Sequence, residues 1–275
     1  MVGTAGYQAA AELLVAWLSR LGLAAYRGNS YRLDYAAGSM AGVNIAATLP
    51  GHSRERPPLV LAAHYDSVMA TPCADDNAVA VAICLQVVAR LAPQPLLRDL
   101  VLIFFDAEEP PFTGTDAMGS IHFYRHQMDR RGVHALVVQD LIGHDVNLPV
   151  GGKEIRAPLL RDLVFMTGVE SHSHLHQMVA SSPLPRRLRL LSAPNRHIGN
   201  VSGYLMFRCQ DVPYLFLSCG RWRHYHRASD TTDRLNYRKM ARLVAICCPC
   251  CRRSTRPTCR HQITISRLGR PTTRQ

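Results

Sequence analysis

Leu100-Val101-Leu102-Ile103-Phe104-Phe105-Asp106-Ala107-Glu108-Glu109 is the stretch on which the reading of this chain turns. Its first six residues are apolar and have the character of a buried strand, and the run then stops at Asp106, Glu108 and Glu109. Pro58-Leu59-Val60-Leu61-Ala62-Ala63 is a second such run, ending in His64-Tyr65-Asp66, and Ala135-Leu136-Val137-Val138 is a third, which delivers Asp140. Strands that each end on an acidic residue or a histidine point to one shared cleft. In an open α/β sheet, ligands bind beyond the carboxyl ends of the strands, where loops converge. Helical segments surround these strands. Ala9 to Leu21 reads as an amphipathic helix packed on the sheet, and Asp76 stands just ahead of a long apolar segment of helical character, Ala78 to Ala92. A fourth strand, Val212 to Leu217, precedes the loop that carries His226.

In chain order, His64, Asp76, Glu109, Asp140 and His226 make a set of two histidines and three carboxylates. Mixed nitrogen and oxygen ligation of this kind suits two Zn²⁺ ions, with Co²⁺ or Mn²⁺ as tolerated substitutes. Two further carboxylates have work to do beside them. Asp66 is placed to orient the His64 imidazole, and Glu108 to take a proton from an activated water. Each piece alone is a weak signal. A lone His-x-Asp is more often structural, and an acidic pair after an apolar run is commonly a solvated strand end or a helix start. Their co-occurrence at strand ends, in the number a two-metal site needs, is what selects the hydrolytic reading.

The runs AAHYDS, CADDNA, FFDAEEP, VVQDLIG and HYHRASDTTD, spread over roughly residues 7 to 246, resemble the zinc aminopeptidases of peptidase family M28. The resemblance implies the zinc-dependent exopeptidase fold, a mixed central β-sheet with helices on both faces. It also implies two zinc ions bridged by an aspartate and removal of N-terminal amino acids from peptides. On that resemblance His64 and Asp140 hold one zinc and Glu109 and His226 the other. Asp76 is the bridge, since it stands just before Asn77-Ala78, and Glu108 is the general base. His226 is preferred to His224 because it lies four residues before Asp230-Thr231. Two departures stand out. Ser202-Gly203-Tyr204 replaces a Ser-Asp-His-like segment that shapes the substrate side of the cleft, and Pro110-Pro111 follows the glutamates. Asp116-Ala117-Met118-Gly119-Ser120 and the HYDS run also resemble the glutaminyl-peptide cyclotransferases, which share the fold. A non-catalytic interaction domain of the same superfamily is a further alternative, against which the complete ligand set argues.

Composition fits this enzyme reading. The chain has 275 residues, 47% hydrophobic and 19% charged, enough for one large core. No apolar run reaches the length of a membrane span. The first residues, MVGTAGYQAA, show neither a basic segment nor an apolar one, so a cytoplasmic protein is expected as encoded, or an exported one if a leader precedes Met1. Seven arginines and no acidic residue fall in 252–275, against a formal net charge of +12. The basic balance is therefore largely a property of the tail, and specific nucleic-acid binding is not expected. The expected domain is 1–246, followed by a Cys/Arg-rich tail, 247–275, expected to be disordered. A GxSxG elbow and a P-loop are both missing from the sequence, which argues against serine hydrolases and NTPases. The expected partner is a peptide with a free N-terminus.

Overall fold

The computed structural model describes residues 3–254, apart from 69, 70, 130, 152, 156, 200 and 201. Eleven strands run in chain order: β1 Ala24–Ala25, β2 Arg32–Ala37, β3 Met40–Leu49, β4 Leu59–His64, β5 Leu100–Phe105, β6 Ala135–Gln139, β7 Leu148–Val150, β8 Lys153–Ile155, β9 Leu163–Thr167, β10 Arg189–Ser192 and β11 Tyr214–Ser218. The helices are α1 Ala5–Arg20, α2 Val79–Leu91, α3 Gly119–His122, α4 Ser173–Ala180, α5 Leu205–Cys209 and α6 Tyr237–Ser254. Nine strands form one mixed sheet in the order β1-β3-β5-β4-β6-β11-β9-β10, with β2 paired to β3. β7 and β8 make a separate hairpin.

The centre of the sheet is a parallel block. β5, β4, β6 and β11 are parallel to one another, while β3 on one side and β9 on the other are antiparallel to it. All four central strands are buried along their length, which is why their sequences read as continuous apolar runs rather than alternating ones. Side chains nevertheless alternate between two cores. Leu59, Leu61, Ala63, Leu102, Phe104, Val137 and Leu217 pack with α1, α2, α4 and α6 on one face. Val60, Ala62, Ile103, Phe105, Val138 and Phe216 pack with Phe123, Tyr204 and Phe207 on the other. Helical layers thus cover both faces, as the sequence suggests.

Register brings the ends of the block level. His64 pairs with Phe105, and Ala62 with Val138, so the segments following β4, β5 and β6 leave the sheet side by side. α1 begins at Ala5, capped by the Thr4 hydroxyl, which accepts from the Tyr7 N–H. The last helix continues to Ser254, past the domain boundary expected at 246. The remainder of the Cys/Arg-rich tail, 255–275, lies outside the described residues. Among the described residues no helix is long and apolar enough to cross a membrane.

Candidate metal centre

All five candidate ligands meet beyond the carboxyl ends of the parallel block. His64 closes β4, Asp140 follows β6, Glu109 stands four residues past β5, and His226 enters from the loop after β11. Asp76 lies in the turn that leads into α2, whose Asp76–Asn77 peptide is cis. Each turn is held by buried hydrogen bonds. The Asp230 carboxylate accepts from the N–H groups of Asp75 (3.0 and 3.1 Å) and Asp76 (3.2 Å), which fixes the Asp76 turn against the loop that bears His226. Asp75 accepts from the Gly143 N–H at 2.6 Å and lies 2.6 Å from His144 Nδ1. A Cβ at Gly143 would approach Asp75 Oδ1 to 2.7 Å, so that close contact requires glycine. Cys73, Ala107, Leu141 and His226, one beside or within each of these turns, have φ between 49° and 56°. Left-handed backbone costs a residue with a side chain about 1 kcal/mol or more. Its concentration around the ligands marks a site held in shape by its surroundings.

The Asp66 carboxylate does more than orient His64. His64 Nδ1 lies 3.2 Å from the Asp66 carbonyl oxygen and 3.4 Å from Asp66 Oδ1. The two carboxylate oxygens also accept the N–H groups of Glu108 at 3.0 Å and Glu109 at 3.1 Å. With Nδ1 so occupied, Nε2 of His64 faces the other carboxylates.

The spacing of the ligand atoms tests whether metal ions fit. His64 Nε2 is 3.3 Å from Asp76 Oδ1 and 3.7 Å from Asp140 Oδ1. His226 Nε2 is 3.1 Å from Asp76 Oδ2 and 3.0 Å from Glu109 Oε2. Ligands at zinc bond lengths of about 2.0–2.1 Å in tetrahedral array stand about 3.3 Å apart. The residues therefore fall into two groups of three, His64–Asp76–Asp140 and Asp76–Glu109–His226, with one Asp76 oxygen facing each. Asp76 Oδ2 and Asp140 Oδ1 are buried with no hydrogen bond, as atoms aimed at a cation would be. The donor set fits two divalent ions.

The electrostatics agree. Burial pushes the Glu109 carboxyl up to about 9, with the negative charge of Asp76 adding to it. Burial also raises Asp140, against the opposing hydrogen bond and charge of His64. Asp76 moves the other way: although its burial opposes ionisation, His64 and His226 hold it below the usual carboxylate range. For His64, burial opposes the charge, but the Asp140, Asp66 and Asp76 carboxylates hold the imidazole well above its ordinary value. Carboxylates crowded at such distances repel one another, and a divalent cation relieves that repulsion.

Glu108 lies beside this cluster. Its side chain is buried, Oε1 makes no hydrogen bond, and Oε2 is 3.5 Å from the Ser120 hydroxyl. Burial pushes its carboxyl up to about 8, with His64 opposing and Asp140 and Asp66 adding. The cleft above encloses about 510 Å³ and is walled by Leu141, Phe165, Ile198 and Phe216 as well as the charged groups. Several residues here escape sequence reading. Asp75 and Asp230 are given no role by their local sequence, yet their carboxylates hold the Asp76 turn. Ser202 is buried with its hydroxyl toward Glu108 and Asp140. Arg221 and Tyr225 line the cleft, and only their nearness to His226 in the chain hinted at it. His172, His174 and His176 fall at the start of α4, away from the ligand groups.

The sequence model of peptidase family M28 matches residues 44–250. The uncharacterized protein YfbL of Escherichia coli (strain K12) is 30% identical over 210 residues, covering 68% of this chain and 64% of YfbL. Among solved structures, the LapA aminopeptidase of Legionella pneumophila superposes with a TM-score of 0.67 at 14% identity, over 93% of this chain and 66% of LapA. A Zn-dependent exopeptidase from Parabacteroides distasonis ATCC 8503 gives 0.65 at 15% identity, over 94% and 92% of the two chains. BSAP, a zinc aminopeptidase from Bacillus subtilis, gives 0.61 at 17% identity, over 78% and 51%. The present chain thus spans just under two thirds of YfbL and of LapA. At these identities the structural likeness speaks for the fold, a mixed α/β sheet shared with zinc exopeptidases. The long profile match carries the assignment itself: the chain belongs to peptidase family M28.

Proposed function

We propose that this protein is a zinc-dependent aminopeptidase that hydrolyses the N-terminal peptide bond of a peptide, with Glu108 as general base. The observation that carries this reading is the pair of ligand groups sharing Asp76, with the Glu108 carboxyl, its Oε1 buried and without a hydrogen bond, beside them in an apolar-walled cleft. His64 and Asp140 would hold one ion and Glu109 and His226 the other, with Asp76 offering an oxygen to each group. The chemistry such ions would supply when bound is Lewis-acid polarisation of a carbonyl and a lowered pKa of water. Glu108 accepts the proton of that water and passes it to the leaving amine. Its burial raises its proton affinity toward neutrality, where a general base works best. Asp66 keeps Glu108 and Glu109 in register through their backbone N–H groups and keeps His64 turned with Nε2 toward the Asp76 and Asp140 carboxylates. Carboxylates are also the natural acceptors for a free α-amine, which supports exopeptidase action. Leu141, Phe165, Ile198 and Phe216 favour an apolar N-terminal side chain.

The test is zinc-loaded protein assayed on aminoacyl-anilides, their N-acetylated counterparts and Gln-initial peptides. Hydrolysis that disappears on acetylation is the expected result. Ammonia release from Gln-initial peptides without chain shortening would instead identify a cyclotransferase. A zinc-loaded protein silent on the whole panel would leave only the interaction-domain reading.

A further inference from the structure

A fixed positive charge also faces this cleft. Arg221 lines it with Tyr225, Gly220, Thr113 and Ile198. Its guanidinium lies over the Tyr225 ring, with Cζ 4.8 Å from the centroid. That ring in turn stacks on the His226 imidazole, with centroids 3.8 Å apart and planes 21° off parallel. Two stacking contacts therefore separate the guanidinium from an imidazole of the metal centre. Stacking uses the face of the guanidinium and leaves its edge of N–H donors free to meet a planar anion. Among the described residues Arg221 has no carboxylate partner at ion-pair distance. Asp76, Glu109, Asp140 and Glu108 do not supply one, because two divalent ions would balance those four charges. Arg221 is then the surplus cation of the cleft.

We propose that Arg221 recognises a carboxylate carried by the substrate about one residue away from the scissile bond. Cζ at 4.8 Å from the Tyr225 ring and that ring at 3.8 Å from the imidazole keep the guanidinium within about 9 Å of the imidazole, a reach that accommodates a carboxylate one extended residue, roughly 3.3–3.6 Å, from the scissile bond. Two substrate groups present a carboxylate at that range: the C-terminus of a dipeptide, and the side chain of an acidic N-terminal residue. The apolar walls contributed by Phe165 and Phe216 are better suited to the dipeptide with an apolar first residue. The proposal rests on the aminopeptidase reading, and its test separates the two.

The experiment compares kcat/KM of zinc-loaded protein on Leu-Leu against Leu-Leu-amide, and on Glu-anilide against Gln-anilide. Wild type, Arg221→Ala and Arg221→Lys are measured, with zinc content determined for each. A charge-assisted contact predicts a preference of roughly 10- to 100-fold for the carboxylate member of one pair. The first pair identifies a dipeptide C-terminus and the second an acidic N-terminal residue. R221A should bring that ratio to within about twofold of one, and R221K should fall between, keeping charge without the planar fork. Wild-type ratios near one in both pairs overturn the proposal. So does a loss of zinc in R221A with both members of a pair slowed equally, which would make Arg221 only a prop for His226. If wild type cleaves nothing, the aminopeptidase reading fails. The Arg221 proposal is then judged by calorimetric binding of Leu-Leu and Leu-Leu-amide to zinc-loaded wild type and R221A. Equal affinity for the two ligands refutes it, and a carboxylate preference lost in R221A sustains it.

Discussion

Asp66→Asn is the substitution that most directly tests how this site is built. The side chain is 2% exposed, and each of its oxygens accepts a backbone N–H, from Glu108 at 3.0 Å and from Glu109 at 3.1 Å. Asparagine has the same shape but turns one acceptor into a donor. If the amide nitrogen takes the Oδ1 position, it meets the Glu108 N–H and, at 3.4 Å, His64 Nδ1. If it takes the Oδ2 position, it meets only the Glu109 N–H, so that orientation is preferred. One buried N–H is then left unsatisfied, at a cost of about 1–3 kcal/mol. The loosened segment carries a candidate ligand, Glu109, so zinc affinity should fall as well, by roughly 10- to 100-fold. Urea unfolding in the presence of a chelator measures the first effect, and competition with a chromophoric chelator the second. His64→Ala is the control, since it removes a ligand but leaves the Glu108–Glu109 N–H groups bonded to Asp66. It should lower zinc affinity far more than metal-free stability. A D66N protein within about 0.5 kcal/mol of wild type in stability, with unchanged zinc affinity, would refute the argument that Asp66 organises the turn.

Three other outcomes follow from the geometry. Glu108→Gln should keep its zinc, because Glu108 belongs to neither ligand group, and should lose roughly 10²–10⁴ in kcat; normal turnover would remove Glu108 from the reaction. His226→Ala should leave one ion where wild type holds two, since His226 serves a single ligand group, and elemental analysis after dialysis gives the count. Burial, opposed by the Tyr7 hydroxyl, pushes the Asp106 carboxyl from 3.8 up to about 6, so the folded chain holds a proton there that the unfolded chain has released. Its contribution to stability is then full below about pH 4 and is lost as pH rises through 6, a span worth on the order of 3 kcal/mol. Urea midpoints measured from pH 4 to 7 should show this fall in wild type and not in Asp106→Asn; parallel curves would count against it.

The parallel block was legible in the sequence because burial on both faces leaves an uninterrupted apolar run, and the Leu100–Phe105 strand begins and ends where its residues do. The last strand was placed two residues early, at Val212, because Val212 and Pro213 continue the apolar text although pairing with β6 starts at Tyr214. The end of α6 was harder still: from Cys247 the sequence turns Cys- and Arg-rich, with Pro249 inside it, and the helix nevertheless continues to Ser254. Candidate ligands could be found because they follow strands directly. The supporting residues could not. Asp230 reaches the Asp75 and Asp76 N–H groups across more than 150 positions of chain, and no local pattern encodes such a contact. In sequence the run Arg221 to Tyr225 before His226 fits a pocket lining as well as a charged loop, since its place depends on how the loop after β11 folds back over the cleft.

The departure at Ser202-Gly203-Tyr204 gains a physical meaning from its surroundings. Tyr204 is fully buried, stacks on Tyr214 with centroids 5.0 Å apart, and anchors the segment in the second core. That anchoring holds Gly203 against Phe105, where an added Cβ would come within 3.0 and 3.3 Å of the ring and 3.5 Å of Glu108 Oε1. A larger residue at 203 must therefore either shift a buried ring in a close-packed core or crowd the carboxyl proposed as the base. An acidic residue there, as in the segment this one replaces, would add a negative charge beside Glu108 and raise its proton affinity beyond what burial already does. In this chain the groups next to Glu108 are instead the hydroxyls of Ser120 and Ser202, and hydrogen bonding to Ser202 lowers its proton affinity. Loss of the acidic residue is thus compatible with a working base: the hydroxyls moderate what burial raises, and glycine sets no side chain against Oε1.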